Sequence, residues 1–479
     1  MYRSLRDFAR RLEEAGELVR VSQELDPRLE IAAMADRVVK RGGPALLFEN
    51  VRGSRFPLLI GAFAGARRIA WALGCESLDE PARAIDELVR AQPPAGLMDK
   101  LRMLPKLARV AAAAPKVVGS GACQEVVMDP PDLRALPVMT CWPRDGGPFL
   151  TLPIVITKDP ETGVRNLGMY RMQVYGPRET GMHWQLYKTG RRHYQRAREL
   201  GRKVEVAVAL GGDPAITYAA TAPLPDGVDE LLLAGFLRKK PVELVQCKTV
   251  DLEVPACSDF VIEGYVDPTE PMRDEGPFGD HTGYYTPLTP YPVFHVTAIT
   301  HRKDAIYPST IVGPPPMEDA WLGKATERLF LPLLKATLPG VVDMNLPIEG
   351  VFHNLAIVSI RKSEPHQARR VAYALWGLGQ MATAKCIVIV DEDVNVQDLR
   401  EVAWRALTSI DPKRDVFFAD GTIDELDHAS CGMGFGGKMA VDATRKLPEE
   451  GYTREWMEVC RHEPAVEQRI ERLLRELRL

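Results

Sequence analysis

The 479-residue chain lacks a Cys-x-x-Cys pair, a Walker loop, a His-Glu-x-x-His motif and any large excess of one charge. Its eight cysteines (Cys75, Cys123, Cys141, Cys247, Cys257, Cys386, Cys431 and Cys460) lie far apart. They read as reduced thiols, which excludes a disulfide framework or a cysteine zinc site and fits a cytoplasmic location. Lys plus Arg number 61 against 65 Asp plus Glu, a formal charge of −4. That balance argues against broad electrostatic capture of nucleic acid. No apolar run approaches the ~18 residues of a membrane span. The amino terminus enters an amphipathic helix without a signal-peptide apolar segment, so only peripheral docking on a membrane stays open. No internal repeat is found. What remains is 46% hydrophobic and 26% charged, an ordinary globular composition, in a chain long enough for about two to four domains.

The elements change character along the chain. Ser4 can cap a helix carrying Leu5, Phe8 and Leu12 on one face. A second helix at 31–41 stops at Gly42-Gly43-Pro44 and leads into a strand at 45–48, giving an amino-terminal α/β domain over 1–115. From 116 to 310 the pattern is strands bounded by Gly and Pro, at 154–157, 167–174, 204–210, 216–220, 242–247, 260–265 and 293–299, with one helix near 228–238. Many strands with few helices predict a barrel. Over 311–479 helix and strand alternate, predicting a parallel or mostly parallel sheet. In the tail, Val466, Ile470, Leu473 and Leu477 form an apolar stripe. It suits a helix packed on another subunit, and packing on its own chain fits almost equally well. The fold class is therefore α/β (α+β).

The densest chemistry lies at Glu275-Gly276-Pro277-Phe278-Gly279-Asp280-His281-Thr282-Gly283. Two carboxylates five positions apart flank a turn that cannot be helical. Paired acids in a constrained, half-apolar loop can have their pKa values pushed apart for proton transfer. From spacing alone, a solvated surface turn accounts for them equally well. His281 reads as a structural hydrogen bond within the turn. Gly432-Met433-Gly434-Phe435-Gly436-Gly437 satisfies Gly-x-Gly-x-x-Gly, but no clear strand leads into it, so it reads as a flexible loop.

Taken with Asn166–Val174, Met182-His183-Trp184-Gln185, 207–214, 251–256, 391–395 and 437–444, in that order along nearly the whole chain, the acid turn resembles the UbiD family of decarboxylases. The resemblance implies that the central domain is a split β-barrel binding prenylated FMN. It also implies non-oxidative, reversible decarboxylation of an aromatic or unsaturated acid through a covalent adduct with that cofactor. Arg171, Glu275 and Asp280 would be the catalytic network, Glu275 the proton donor with Asp280 tuning it or donating itself. Thr151, Met169, Tyr170, His183, Trp184, Gln185, Lys188 and Lys438 would contact the cofactor, and Asn166 and Glu230 would hold Mn²⁺ or Mg²⁺. Carbonyls near Ala220, Thr221 and Ala222 would hold K⁺ by analogy. Tyr187 stands where the family commonly has a histidine ligand, which leaves the third metal ligand open. Pro316-Met317-Glu318-Asp319 and 322–328 look closest to the quinone-biosynthesis branches, with small-hydroxybenzoate decarboxylases close behind. A flavin prenyltransferase would supply the cofactor, and the tail would build a dimer or hexamer. An FMN oxidoreductase on the same barrel is the rival; it would need a nicotinamide site and no paired acids beside Arg171.

Overall fold

A computed structural model describes residues 2–90, 110–186 and 188–477. The sequence predicts helical segments running on to about residue 114; over 91–109 these lie outside the described residues, as does Tyr187. Ser4 does cap the first helix, Leu5–Glu14, its Oγ accepting from the Asp7 amide at 3.2 Å. Leu5, Phe8 and Leu12 are buried beneath it. A four-stranded sheet follows, in the order Leu18–Val21, Ala45–Phe48, Leu58–Ile60, Tyr307–Ser309. Its last strand returns from the far end of the central region, so the first two units are sewn together. Helix Asp319–Thr337 adds Leu322, Ala325 and Leu329 to the same apolar core.

The central sheet is antiparallel throughout and runs Phe149–Leu150, Met172–Gly176, Glu179–Gly181, Val293–His301, Phe260–Val266, Val204–Leu210, Ile154–Lys158, Arg165–Met169, with Val126–Met128 on the side of Val293–His301. Consecutive segments sit at opposite ends of this path. Arg165–Met169 is one edge and Met172–Gly176 lies next to the other, with only Tyr170 and Arg171 between them. Two residues cannot cross a flat sheet of this width, because strands are spaced ~4.8 Å apart. The sheet must curl until its edges meet, giving the split barrel. The strand expected over 167–174 is therefore broken at Tyr170-Arg171, which lie on the seam. The strand expected at 216–220 is instead helix Pro214–Ala219: Asp213 accepts from the Ala215 amide at 3.1 Å, and Pro214 sits at the first helical position, where its missing N–H costs nothing.

The carboxyl-terminal sheet has the order Val341–Asn345, Leu355–Ile360, Cys386–Asp391, Phe435–Asp442, Val416–Thr422. Its three central strands are parallel, and both edge pairings are antiparallel, so the expectation of a mostly parallel sheet holds only at its centre. The glycine-rich run expected to be a loop enters strand Phe435–Asp442, paired as a hairpin with Val416–Thr422. Helix Pro464–Leu477 leaves Val466, Ile470, Leu473 and Leu477 exposed. Among the described residues, no helix is long and apolar enough to cross a membrane.

Candidate active site

The acid turn is the loop of a short hairpin in which Glu275, ending strand Arg273–Glu275, lies opposite Thr289. Gly276 takes φ +102°, a region closed to residues with a side chain. The backbone polar groups of the turn are held from several sides. Gln173 Oε1 accepts from the Gly276 amide at 2.7 Å, and Asp145 Oδ1 accepts from the Gly279 amide at 2.8 Å. The Gly146 amide donates to the Pro277 carbonyl at 2.8 Å. Gly279 lies so close against the Trp142 ring that a side chain has no room there. Phe278 points inward, 4.5 Å from the Phe149 ring. The turn is thus a buttressed platform on the barrel rather than a solvated surface loop.

Both acids converge on the seam arginine. Arg171 Nε donates to Glu275 Oε1 at 2.9 Å and its Nη1 pairs with Asp280 Oδ2, while the guanidinium carbon lies 4.8 Å over the Phe278 ring. All three groups are nearly or wholly buried. Burial alone would push both carboxyls up. For Glu275 it is outweighed by the hydrogen bond from His183 and the charge of Arg171, which hold it below its ordinary value. For Asp280, Arg171 and His281 outweigh burial and hold it well below the usual carboxylate range. His183 Nδ1 lies 2.8 Å from Glu275 Oε1; burial and the Arg171 charge lower its pKa, so the neutral ring donates Nδ1–H to the carboxylate. Glu275 Oε2 is buried with no hydrogen-bond partner. Asp280, in contrast, uses both oxygens: Oδ1 accepts from the His281 amide at 2.7 Å and lies 3.1 Å from His281 Nδ1.

The other expected site residues divide. Asn166 is buried on the edge strand with its Nδ2 unpartnered, and His183 Nε2 and Trp184 Nε1 are buried and unpartnered as well. Buried polar atoms without partners are rare in folded proteins, and three on two neighbouring segments mark a place built for a polar ligand. Glu230, at the start of helix Glu230–Arg238, accepts from the Leu167 amide at 3.0 Å through Oε2, which ties it to the strand carrying Asn166. Burial pushes its carboxyl up to about 7. Tyr170 is buried and its hydroxyl accepts from the Gly190 amide at 3.4 Å; Met169 is half-buried, its amide donating to the Ala220 carbonyl at 3.2 Å. Thr151 Oγ1 accepts from the Thr310 amide at 3.0 Å. Gln185 is half-buried and Lys188 exposed on the segment before helix Thr189–Glu199.

Lys438 does not join them. It lies on strand Phe435–Asp442 of the carboxyl-terminal sheet, where its buried Nζ donates to the Ala382 and Ala384 carbonyls at 2.6 and 2.9 Å. Two of its three N–H groups are held there, which gives it a structural role in the carboxyl-terminal sheet.

Sequence reasoning missed the partners that arrive from elsewhere. Glu425, in the hairpin connection preceding the glycine-rich run, accepts from the Leu186 amide at 2.8 Å and so joins the carboxyl-terminal domain to the cofactor-facing segment. His353 and Asp424 meet His281 beside the acid turn, with His353 Nε2 3.9 Å from Asp424 Oδ2. Asp319 is half-buried nearby, its carboxyl pushed up to about 7 by desolvation. Asp319 lies in one of the segments that carry the family resemblance, whereas Glu425, His353 and Asp424 sit in segments without a recognisable motif, and only the tertiary structure brings the four together.

Comparison with known proteins places this architecture. Residues 116–315 match the 3-octaprenyl-4-hydroxybenzoate carboxy-lyase Rift-related domain, residues 320–443 its C-terminal domain and residues 9–90 its N-terminal domain. A protein of Aquifex aeolicus is 52% identical over 475 residues, 98% of each chain. Among solved structures, the UbiD-class enzyme HmfF from Pelotomaculum thermopropionicum in complex with FMN is 32% identical with a TM-score of 0.80, covering 97% of this chain and 98% of that one. An evolved dimeric form of HmfF is a complex with prenylated FMN (prFMN). Vanillic acid decarboxylase of Sedimentibacter hydroxybenzoicus in closed form is 26% identical with a TM-score of 0.86 over 99% of both chains. With three family domains in register and an arginine gripped by two acids at the barrel seam, the chain belongs to the UbiD family of carboxy-lyases.

Proposed function

We propose that this enzyme catalyses the non-oxidative, reversible decarboxylation of a hydroxyaryl acid used in quinone biosynthesis, with prenylated FMN as cofactor. The substrate would be of the 1,4-dihydroxy-6-naphthoate or 4-hydroxy-3-polyprenylbenzoate type. The observation that carries the reading is the buried Arg171–Glu275–Asp280 cluster beside polar atoms left without partners. Those atoms fit a flavin: Asn166, His183 and Trp184 present unmet hydrogen-bonding capacity, and Asn166 with Glu230 offers the oxygen donors that suit Mn²⁺ or Mg²⁺ at a phosphate. When bound, the prenylated flavin supplies the electron sink that an aryl carbanion lacks and that no side chain provides.

The chain's own residues then have three tasks. Arg171 has Nε and Nη1 occupied by Glu275 and Asp280, leaving Nη2 to meet a substrate carboxylate. A carboxylate arriving there competes with Glu275 for the guanidinium, which removes part of what holds the Glu275 pKa down. Glu275 can then take and deliver one proton through Oε2, the oxygen that no protein group engages. Asp280 stays ionised between Arg171 and His281 and holds both in place. A small hydroxybenzoate is a second reading of the substrate, favoured by the likeness to vanillic acid decarboxylase.

Co-expression with a flavin prenyltransferase, followed by mass analysis of the released cofactor and a carbon dioxide assay over a panel of aromatic acids, tests this. Prenylated FMN and carbon dioxide from a hydroxylated naphthoic or polyprenylbenzoic acid are expected. Plain FMN with NADH oxidation under the same conditions would replace the reading with an oxidoreductase.

A further inference from the structure

One imidazole nitrogen beyond the Arg171 cluster is claimed by neither the acids nor the cofactor-facing segments. His281 Nε2 is buried without a hydrogen-bond partner, while its Nδ1 is fixed by Asp280. His353 has Nδ1 3.4 Å from Thr383 Oγ1, which leaves Nε2 facing Asp424. One ligand atom from each of His281, His353 and Asp424 lies within 4.8 Å of the other two. The closest approach recorded between His353 and Asp424, 3.9 Å, is too long for a hydrogen bond. Three polar groups thus surround a point that none of them fills.

The backbone that presents His353 is itself unusual. Val351 and Phe352 adopt φ +42° and +49°, left-handed values that are costly for a β-branched and an aromatic residue. This turn lays the Phe352 ring at 5.4 Å from the His281 ring, nearly parallel to it, and sets the His353 ring 5.3 Å from the same imidazole. Asp424 comes from the hairpin whose next residue, Glu425, is tied to Leu186. The carboxyl-terminal domain therefore supplies two of the three groups, and the barrel supplies the third.

We propose, on the decarboxylase reading above, that His281, His353 and Asp424 form a hydroxyl-binding subsite that selects substrates bearing a ring hydroxyl remote from the carboxylate. Asp280 bridges Arg171 and His281, so this group lies one carboxylate away from the arginine that would hold the substrate's acid. A hydroxyl both donates and accepts: it gives its proton to Asp424 and receives one from a histidine Nε2. The spacing accommodates such an oxygen, since bonds of about 2.7–2.9 Å from one point reach groups that lie within 4.8 Å of one another. The field agrees, since Asp280 holds the His281 imidazole protonated with a pKa raised to about 9 against the opposing effect of burial. A protonated imidazole donates a hydrogen bond through Nε2.

The test compares the holoenzyme with Asp424→Ala, His353→Phe and His353→Gln, using 1,4-dihydroxy-6-naphthoate against 2-naphthoate and vanillate against benzoate. Sites built to hydrogen-bond a hydroxyl discriminate strongly against the analogue lacking it. The wild type is expected to prefer the hydroxylated acid by about 10⁴-fold in kcat/KM. In Asp424→Ala and His353→Phe that preference should fall to within about threefold, with His353→Gln intermediate. A preference that survives both substitutions overturns the subsite. So does a metal ion present in one equivalent in the wild type and lost from Asp424→Ala, which would make the cluster a metal centre. Should no acid release carbon dioxide, calorimetric binding of the same pairs separates the two ideas. A hydroxyl preference that disappears in the variants keeps the subsite while the decarboxylase reading fails; equal binding of both acids by the wild type removes the subsite too.

Discussion

Glu275 and Asp280 are both buried carboxylates on Arg171, yet their free oxygens set them apart. Asp280 spends both on Arg171 and His281, whereas Glu275 keeps Oε2 without a partner. A group that must accept and release a proton needs an oxygen that is not already committed, so Glu275→Gln is expected to lower kcat by 10²–10⁴-fold, roughly the range general acid–base catalysis supplies. Cofactor occupancy, read from the absorption spectrum, should stay near wild type, and loss of the flavin would instead assign Glu275 to binding. Asp280 matters to stability through His281. The imidazole's pKa is raised to about 9 from an ordinary 6.5, so this contact stabilises the fold fully below pH 6.5 and is lost as pH rises through 9. The Tm advantage of wild type over His281→Phe should therefore shrink across that interval. An advantage that is flat with pH would show the imidazole to be neutral.

At the scale of elements, the acid turn works because other segments hold it, and Asp145 ties it to the loop that carries Trp142. Its Oδ1 accepts from Gly279, and its Oδ2 accepts from the Cys141 and Trp142 amides at 3.0 and 2.8 Å. Asp145→Ala leaves three backbone donors without their acceptor, at a cost of about 1–3 kcal/mol for each that stays dry. The variant should melt earlier and lose kcat more than it raises KM, because the turn carries both acids; unchanged kinetics would show that the acids are placed without it. This support also marks how far the sequence could be read. Glycine and proline made the turn visible, and Ser4, with its Asp7 amide partner, announced the first helix. Pro214 after Asp213 was an equally local signal for a helix, and alternation with the neighbouring strands hid it. Lys438 differs for another reason: a lysine in a glycine-rich run looks available for phosphate, and only the tertiary structure shows two of its N–H groups held by the Ala382 and Ala384 carbonyls. Asp145, His353 and Asp424 carried no local signal, since their roles exist only once separate segments meet.

On the scale of the whole molecule, the sheet edges that meet at Tyr170-Arg171 put the arginine where the barrel, its acid turn and the carboxyl-terminal hairpin come together. Among the described residues, the tail helix stands apart from this arrangement. Helix Pro464–Leu477 buries none of its residues, and the stripe of Val466, Ile470, Leu473 and Leu477 keeps between 44% and 58% of its surface in water. Of the two fates read from its spacing, packing on its own chain is not what the structure shows. A fourteen-residue helix is marginal by itself in water, and such helices gain most of their stability from packing an amphipathic face. Covering the stripe with the same face of a second copy would contribute roughly 1 kcal/mol per side chain. We therefore expect the wild type to elute as an oligomer whose mass by light scattering falls when Ile470 and Leu473 are both replaced by glutamate. Far-ultraviolet ellipticity should fall slightly with it, as the released helix frays. A double variant with unchanged mass would mean that subunits join elsewhere and that the tail awaits another partner.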